Sequence, residues 1–113
     1  MEILEKKERN IVVLAIQGEI DLHSSPSLRA ALKAQAQAKP SELLLNFAGV
    51  AYIDSSGLAT LIEYYQSARA FQGKLALCSL SPSVRSSFDL VRLTEVFSIF
   101  PTEAAALQAL GSP

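Results

Sequence analysis

The chain has few of the residues that carry catalysis or covalent cross-links. It contains one cysteine, Cys78, and one histidine, His23, among 113 residues. A single cysteine excludes an intramolecular disulfide and leaves no companion for a thiolate metal cluster. Catalysis needs a nucleophile, a base or a metal with well-placed helpers. We therefore expect a protein that is not an enzyme and that needs no cofactor.

The chain also lacks a strong charge of either sign. Its formal net charge is -1, and acidic and basic residues are interleaved. The basic footprint of a protein that binds nucleic acid directly is therefore missing. The first residues lack the basic start and apolar stretch of a secretory signal, and no apolar run approaches membrane-spanning length. We expect a cytoplasmic protein without membrane insertion.

Glycine and proline are too scattered to mark a linker. Five of each are spread between apolar segments, and half of the composition is apolar. A chain of this length is about the size of one ordinary domain. We therefore expect residues 1–113 to form a single domain.

Short apolar runs predict the strands. Residues 3–4 and 11–16 are β-prone and are separated by a polar segment, which predicts an N-terminal hairpin or strand pair. Residues 43–47 form a continuous apolar run, the pattern of a strand covered on both faces by helices. Residues 74–78 and 96–100 predict two further strands.

Apolar residues at helical spacing separate the later strands and predict helices. The first helix is expected to begin at residues 24–26, where serine supplies a capping hydroxyl and proline takes the first helical position, and to stop at Pro40. The second is expected to follow residues 54–57. Gly73 is expected to close it in a left-handed conformation.

Two more helices follow the same signals. Ser81 and Pro82 repeat the cap and proline, with Val91 on the apolar side of the third helix, and Thr102 is expected to cap a final alanine-rich helix that ends near Gly111. Strands that alternate with helices predict a single α/β domain with a mixed, mainly parallel sheet and helices packed against it.

A hydrolase is the first alternative for function. A triad of Ser55, His23 and either Asp21 or Asp54 can be written, but the glycine that precedes a nucleophile-elbow serine by two places is absent. Glycine-rich phosphate-binding loops are absent as well.

The string DSSG at residues 54–57 stands at a predicted helix start. Unpaired amides there favour an anion and can hold a phosphate placed on a serine. Plain N-capping by the aspartate or a serine explains the same pattern, so spacing alone leaves both interpretations open.

Two separated motifs supply a resemblance that covers nearly the whole chain. The string IDSSGLA at residues 53–59, after the apolar run 43–47, and the string GEID at residues 18–21 together resemble bacterial anti-sigma factor antagonists of the STAS domain family. Ala59 departs from the family pattern, since many antagonists carry glycine there. The order of elements also matches the family.

The resemblance implies a regulatory switch. Ser55 would be the phosphoacceptor, and Asp21, Asp54, Ser56 and Gly57 would belong to the partner-binding surface. The partners would be an anti-sigma factor that is also a serine kinase, and a phosphatase that resets the switch. The alternative within the family is a non-phosphorylated STAS scaffold subunit of a bacterial phospholipid-transport ABC complex.

Overall fold

The apolar runs pair into one five-stranded sheet with the order β1-β2-β3-β4-β5. The computed structural model describes residues 1–111. The first two strands pair antiparallel, and every other pair in the sheet is parallel. This confirms the prediction of a mixed, mainly parallel sheet. The strands are β1 (Glu2–Glu8), β2 (Ile11–Gln17), β3 (Glu42–Gly49), β4 (Lys74–Cys78) and β5 (Ser98–Phe100).

Helices cover both faces of this sheet. Three of them pack on one face and α4 packs on the other. The strand β3 lies in the middle, so alternate residues face opposite cores: Leu43 and Leu45 meet the three-helix face, and Leu44 meets α4. Burial on both faces explains its continuous apolar run. The helices are α1 (Ser25–Ala38), α2 (Ser55–Ala68), α3 (Pro82–Leu90) and α4 (Glu103–Gly111).

Caps fix the start of two helices as predicted. The Ser81 hydroxyl accepts a hydrogen bond from the Val84 amide at 3.3 Å, and the Thr102 hydroxyl accepts one from the Ala105 amide at 3.1 Å. Each cap satisfies an amide that has no partner inside its helix. The described part of the chain, residues 1–111, holds no helix with the length and apolarity needed to cross a bilayer.

Two predicted details on the three-helix side are wrong. Gly73 does not end α2 in a left-handed conformation, because α2 passes into a 3-10 helix at Arg69–Phe71 and Gln72 takes the left-handed turn with φ 59°. Val91 does not line the apolar side of α3, because the helix ends one residue earlier and Val91 is exposed. Both errors lie where a regular helix gives way to a tighter turn.

Candidate functional site

Two loops meet at the carboxyl end of the parallel strands. The loop after β2 and the loop after β3 are joined by one isolated parallel bridge between Ile20 and Ile53, and both side chains are buried. The Ile20 amide donates to the Tyr52 carbonyl at 2.9 Å, and the Asp54 amide donates to the Ile20 carbonyl at 3.0 Å. The main chain therefore holds the two loops side by side and places Asp21 near Asp54.

Ser55 is the first residue of α2, and its side chain is exposed. Within residues 1–111, no group forms a hydrogen bond with its hydroxyl. The start of a helix carries partial positive charge from unpaired amides, which stabilises an anion placed there. The Ser55 hydroxyl is therefore accessible to modification, and a charged group added to it would be exposed to solvent.

Asp54 caps α2 and also holds the neighbouring loop. Its Oδ1 accepts hydrogen bonds from the Ser56 hydroxyl at 2.6 Å, the Ser56 amide at 2.9 Å and the Gly57 amide at 3.3 Å. The bond from the Ser56 hydroxyl is the main reason that the pKa of Asp54 lies below its usual range, and the Gly57, Ser56 and Leu22 amides lower the pKa further. The Asp54 amide also donates to the Ile20 carbonyl of the loop after β2 at 3.0 Å, so this residue joins both loops at the helix start.

Ser55 and Ser56 differ sharply although they are adjacent. Ser56 is half-buried and donates its hydroxyl proton to Asp54, whereas Ser55 is exposed and unbonded. A kinase that took the proton from Ser56 would first have to break a short hydrogen bond to a carboxylate, which is stronger than one between neutral groups. The geometry therefore favours Ser55 as the reactive hydroxyl of the pair.

Asp21 organises the turn that leads into α1. Its Oδ1 accepts from the Ser24 amide at 3.0 Å and from the His23 amide at 2.9 Å. These bonds, led by the Ser24 amide, hold the pKa of Asp21 below its usual range. The predicted capping of α1 by a serine hydroxyl is wrong: the Ser24 hydroxyl donates to the Glu19 carbonyl at 2.7 Å and makes no cap bond.

Gly57 is buried, so its role in the structure is packing. A Cβ at this position would lie 2.5 Å from Ile20 Cγ2 and 2.7 Å from Ile53 Cγ1. The start of α2 therefore lies directly on the two isoleucines that join the loops, and only a residue without a side chain fits. A place for Gly57 in a partner-binding surface stays a prediction.

The groups needed for hydrolysis do not come together. No hydrogen bond links the Ser55 hydroxyl to His23 in the described chain, and Asp21 Oδ1 is occupied by local amides rather than by the imidazole. The histidine side chain is exposed. In residues 1–111, histidine, cysteine and acidic side chains form no cluster of three that could hold a metal ion.

Sequence reasoning missed two exposed apolar side chains beside the helix start. Leu22 and Tyr52 are 72% and 51% exposed, although each belongs to a loop fixed by main-chain hydrogen bonds. The available signal was their place in the sequence, because Leu22 directly follows the GEID string and Tyr52 lies two residues before Asp54.

Replacing the Asp54 side chain tests its role as the N-cap of α2. We expect Asp54→Ala to lower the melting temperature because it leaves the Ser56 and Gly57 amides without an acceptor, and Asp54→Asn to lower it less because one oxygen acceptor remains. A lowered pKa stabilises the fold fully above the unfolded value of about 3.9, and that stabilisation is lost as pH falls through the folded value. Thermal melts at pH 7 and pH 3 should therefore show the gap between the wild type and Asp54→Asn narrowing at the lower pH. An unchanged gap would contradict this role.

The fold and the site define a class of protein: a small α/β domain that presents a free serine hydroxyl at a helix start, with no catalytic group assembled beside it in the described residues. The family model for the STAS domain matches residues 2–106, so the chain belongs to the STAS domain family.

The similarity to individual relatives extends over nearly the whole chain. The chain is 26% identical over 111 residues to an anti-sigma F factor antagonist of Paenibacillus polymyxa, covering 97% of this chain and 95% of the relative. It is 29% identical over 103 residues to the anti-sigma-B factor antagonist of Bacillus subtilis, covering 91% and 94%. The crystal structure of an anti-sigma factor antagonist from Mycobacterium paratuberculosis superposes with a TM-score of 0.90 at 26% identity, covering 98% and 94%.

Proposed function

We propose that this chain is an anti-sigma factor antagonist, a cytoplasmic protein that is not itself an enzyme and whose binding to an anti-sigma factor is switched by phosphorylation of Ser55. The observation that carries the proposal is the exposed, unbonded Ser55 hydroxyl at the start of α2. Relatives that match over more than nine-tenths of their own length are named antagonists of anti-sigma factors, which supports the same assignment.

The phosphoryl group would come from a partner that is both anti-sigma factor and serine kinase. The Ser55 Oγ attacks the γ-phosphorus of ATP, the bond from that phosphorus to the β–γ bridging oxygen breaks, and ADP leaves. The hydroxyl proton passes to a base of the kinase, which also supplies Mg²⁺. This chain contributes the acceptor hydroxyl and a helix start that tolerates the product anion.

Release would follow from the charge of the product. A phosphoserine carries about -1.5 to -2 charges at neutral pH. Asp54 directly precedes Ser55 and Asp21 lies on the loop that is bridged to this one, and both carboxylates are held in their ionised form by local hydrogen bonds. A partner surface fitted to a neutral hydroxyl would then have to desolvate three anionic groups together. A phosphatase that removes the group would restore binding.

The scaffold alternative predicts the same fold with an unmodified serine. Such a subunit would copurify with a transporter complex whether or not a kinase is present. The names of the relatives favour the switch over the scaffold.

Phosphosite mapping on matched serine variants tests the proposal. The wild type, Ser55→Ala and Ser56→Ala are each incubated with Mg·ATP and the purified anti-sigma kinases of the same organism, and the products are mapped by mass spectrometry. We expect phosphate on Ser55 in the wild type and in Ser56→Ala, and none in Ser55→Ala. Phosphate on Ser56 alone, or on no residue with any of these kinases, would overturn the proposal.

A further inference from the structure

We propose that Leu22 and Tyr52 are the apolar anchors of the surface that binds the anti-sigma kinase, flanking the phosphorylated serine from the two loops. The inference rests on the proposed function and deepens it, because it names the side chains that hold the partner and the chemistry that the partner must present.

The backbones beneath both side chains are fixed. The Tyr52 carbonyl accepts the Ile20 amide at 2.9 Å. The turn that contains Leu22 is closed by the Ser24 and Ser25 amides, which donate to the Asp21 carbonyl at 3.2 and 2.7 Å. Each exposed side chain has a buried isoleucine close to it in the chain: Ile20, two residues before Leu22, is 0% exposed, and Ile53, directly after Tyr52, is 2% exposed. Both exposed side chains therefore stand on main chain that is already fixed, so the loops need little ordering when a partner binds.

The fold leaves most of the Leu22 side chain and about half of the Tyr52 side chain uncovered. Leu22 is 72% exposed and Tyr52 is 51% exposed, whereas their loops are held by main-chain bonds that any residue could make. Large apolar side chains grouped beside polar groups mark interaction surfaces, and tyrosine is enriched among the residues that dominate binding energy. Leu22 and Tyr52 belong to the two bridged loops next to Asp54, so a protein that docks over Ser55 lies close to both.

The charge of this surface indicates which kind of partner it binds. Glu19 is exposed, and the Asp21 and Asp54 carboxylates are bonded to amides and hydroxyls. The ion pairs of the described residues involve Lys6 and Arg29, and none includes these three acidic groups. The surface therefore combines two apolar side chains with three acidic groups, of which Asp21 has His23 as a neighbouring basic side chain. The complementary partner face is an apolar recess edged by lysine or arginine, presented by the anti-sigma kinase.

Binding measurements on the purified kinase that binds the wild type test this inference. We expect Leu22→Ala and Tyr52→Ala each to raise the Kd by about tenfold or more, which is the loss of a well-packed anchor. Tyr52→Phe should stay within about twofold of the wild type, since it keeps the ring. Leu90→Ala is the matched control: Leu90 is 84% exposed and ends α3, which runs away from the site toward the start of β5. It should also stay within about twofold.

The outcomes separate this inference from the function on which it rests. If both alanine variants bind like the wild type while phosphorylation of Ser55 still releases the kinase, the anchors are wrong and the switch stands. If Tyr52→Phe is as weak as Tyr52→Ala, the hydroxyl rather than the ring makes the contact, which overturns the apolar role of Tyr52. If the wild type binds no anti-sigma kinase, both proposals fall. Equal melting temperatures for all variants exclude unfolding as the cause of weak binding.

Discussion

Phosphorylation of Ser55 is expected to weaken binding of the anti-sigma kinase about a thousandfold, which corresponds to about 4 kcal/mol. The cost arises because a doubly charged group would be buried against a partner close to the carboxylates of Asp54 and Asp21, which already accept hydrogen bonds from amides and hydroxyls of their own loops. Isothermal titration of the kinase with unmodified chain and with enzymatically phosphorylated chain measures the effect directly.

Variants of the same residue provide the controls. Ser55→Ala should bind with an affinity close to that of the unmodified chain and should resist release by the kinase and ATP. Ser55→Glu should bind less tightly than Ser55→Ala but more tightly than the phosphorylated chain, because a carboxylate carries less charge than a phosphate. The phosphorylated chain should keep its circular dichroism spectrum, since the group projects from an exposed helix start. A phosphorylated chain that retains the Kd of the unmodified one would contradict the switch.

Enlarging Gly57 is expected to give a large loss of stability. Gly57→Val should lower the free energy of unfolding by about 3 kcal/mol, because its Cβ alone would overlap two buried isoleucines and the added methyl groups have nowhere to go. Gly57→Ala should cost less, about 1 kcal/mol, because the higher helix propensity of alanine, about 1 kcal/mol relative to glycine, offsets part of the steric cost of its Cβ. Urea denaturation measures both values.

The matched control for Gly57 lies on the exposed side of the same helix. Ala59→Leu adds more volume than Gly57→Ala, but Ala59 is exposed and both residues are good helix formers. Its free energy of unfolding should stay within about 0.5 kcal/mol of the wild-type value. Equal stability of Gly57→Val and the wild type would mean that α2 can move away from Ile20 and Ile53 without cost.

The apolar pattern predicted most of the fold. The run at residues 43–47 was correctly placed as a strand covered on both faces, and the start of α2 was correctly placed after Asp54. Local signals suffice in both cases, since burial imposes a continuous apolar run and the capping aspartate lies next to the helix that it caps. The short 3-10 segments were not predicted because their residues carry no period of their own.

Competition between local partners explains the prediction that failed at α1. Ser24 has the sequence context of a capping residue, yet its hydroxyl is 2.7 Å from the Glu19 carbonyl and accepts the Asp21 amide at 2.9 Å. A serine hydroxyl serves any nearby backbone group, and sequence alone does not reveal which one prevails.

The candidate site could not be predicted from local sequence patterns alone. Resemblance to the family placed Ser55, Asp21 and Asp54 together, but the spacing of residues did not, since the bridge between Ile20 and Ile53 joins segments 33 positions apart in the chain. The difference between Ser55 and Ser56 is also invisible in the string DSSG, because it depends on which hydroxyl points back to the capping carboxylate.

The main-chain bridge that joins the two loops has an evolutionary consequence. It fixes where residues 22 and 52 stand through main-chain bonds, which leave the identity of their side chains free to vary. Duplicated copies of such a gene would then diverge at these two positions while the loops kept their main-chain pairing. If the two side chains are the anchors proposed above, such copies would bind different partners while sharing one fold.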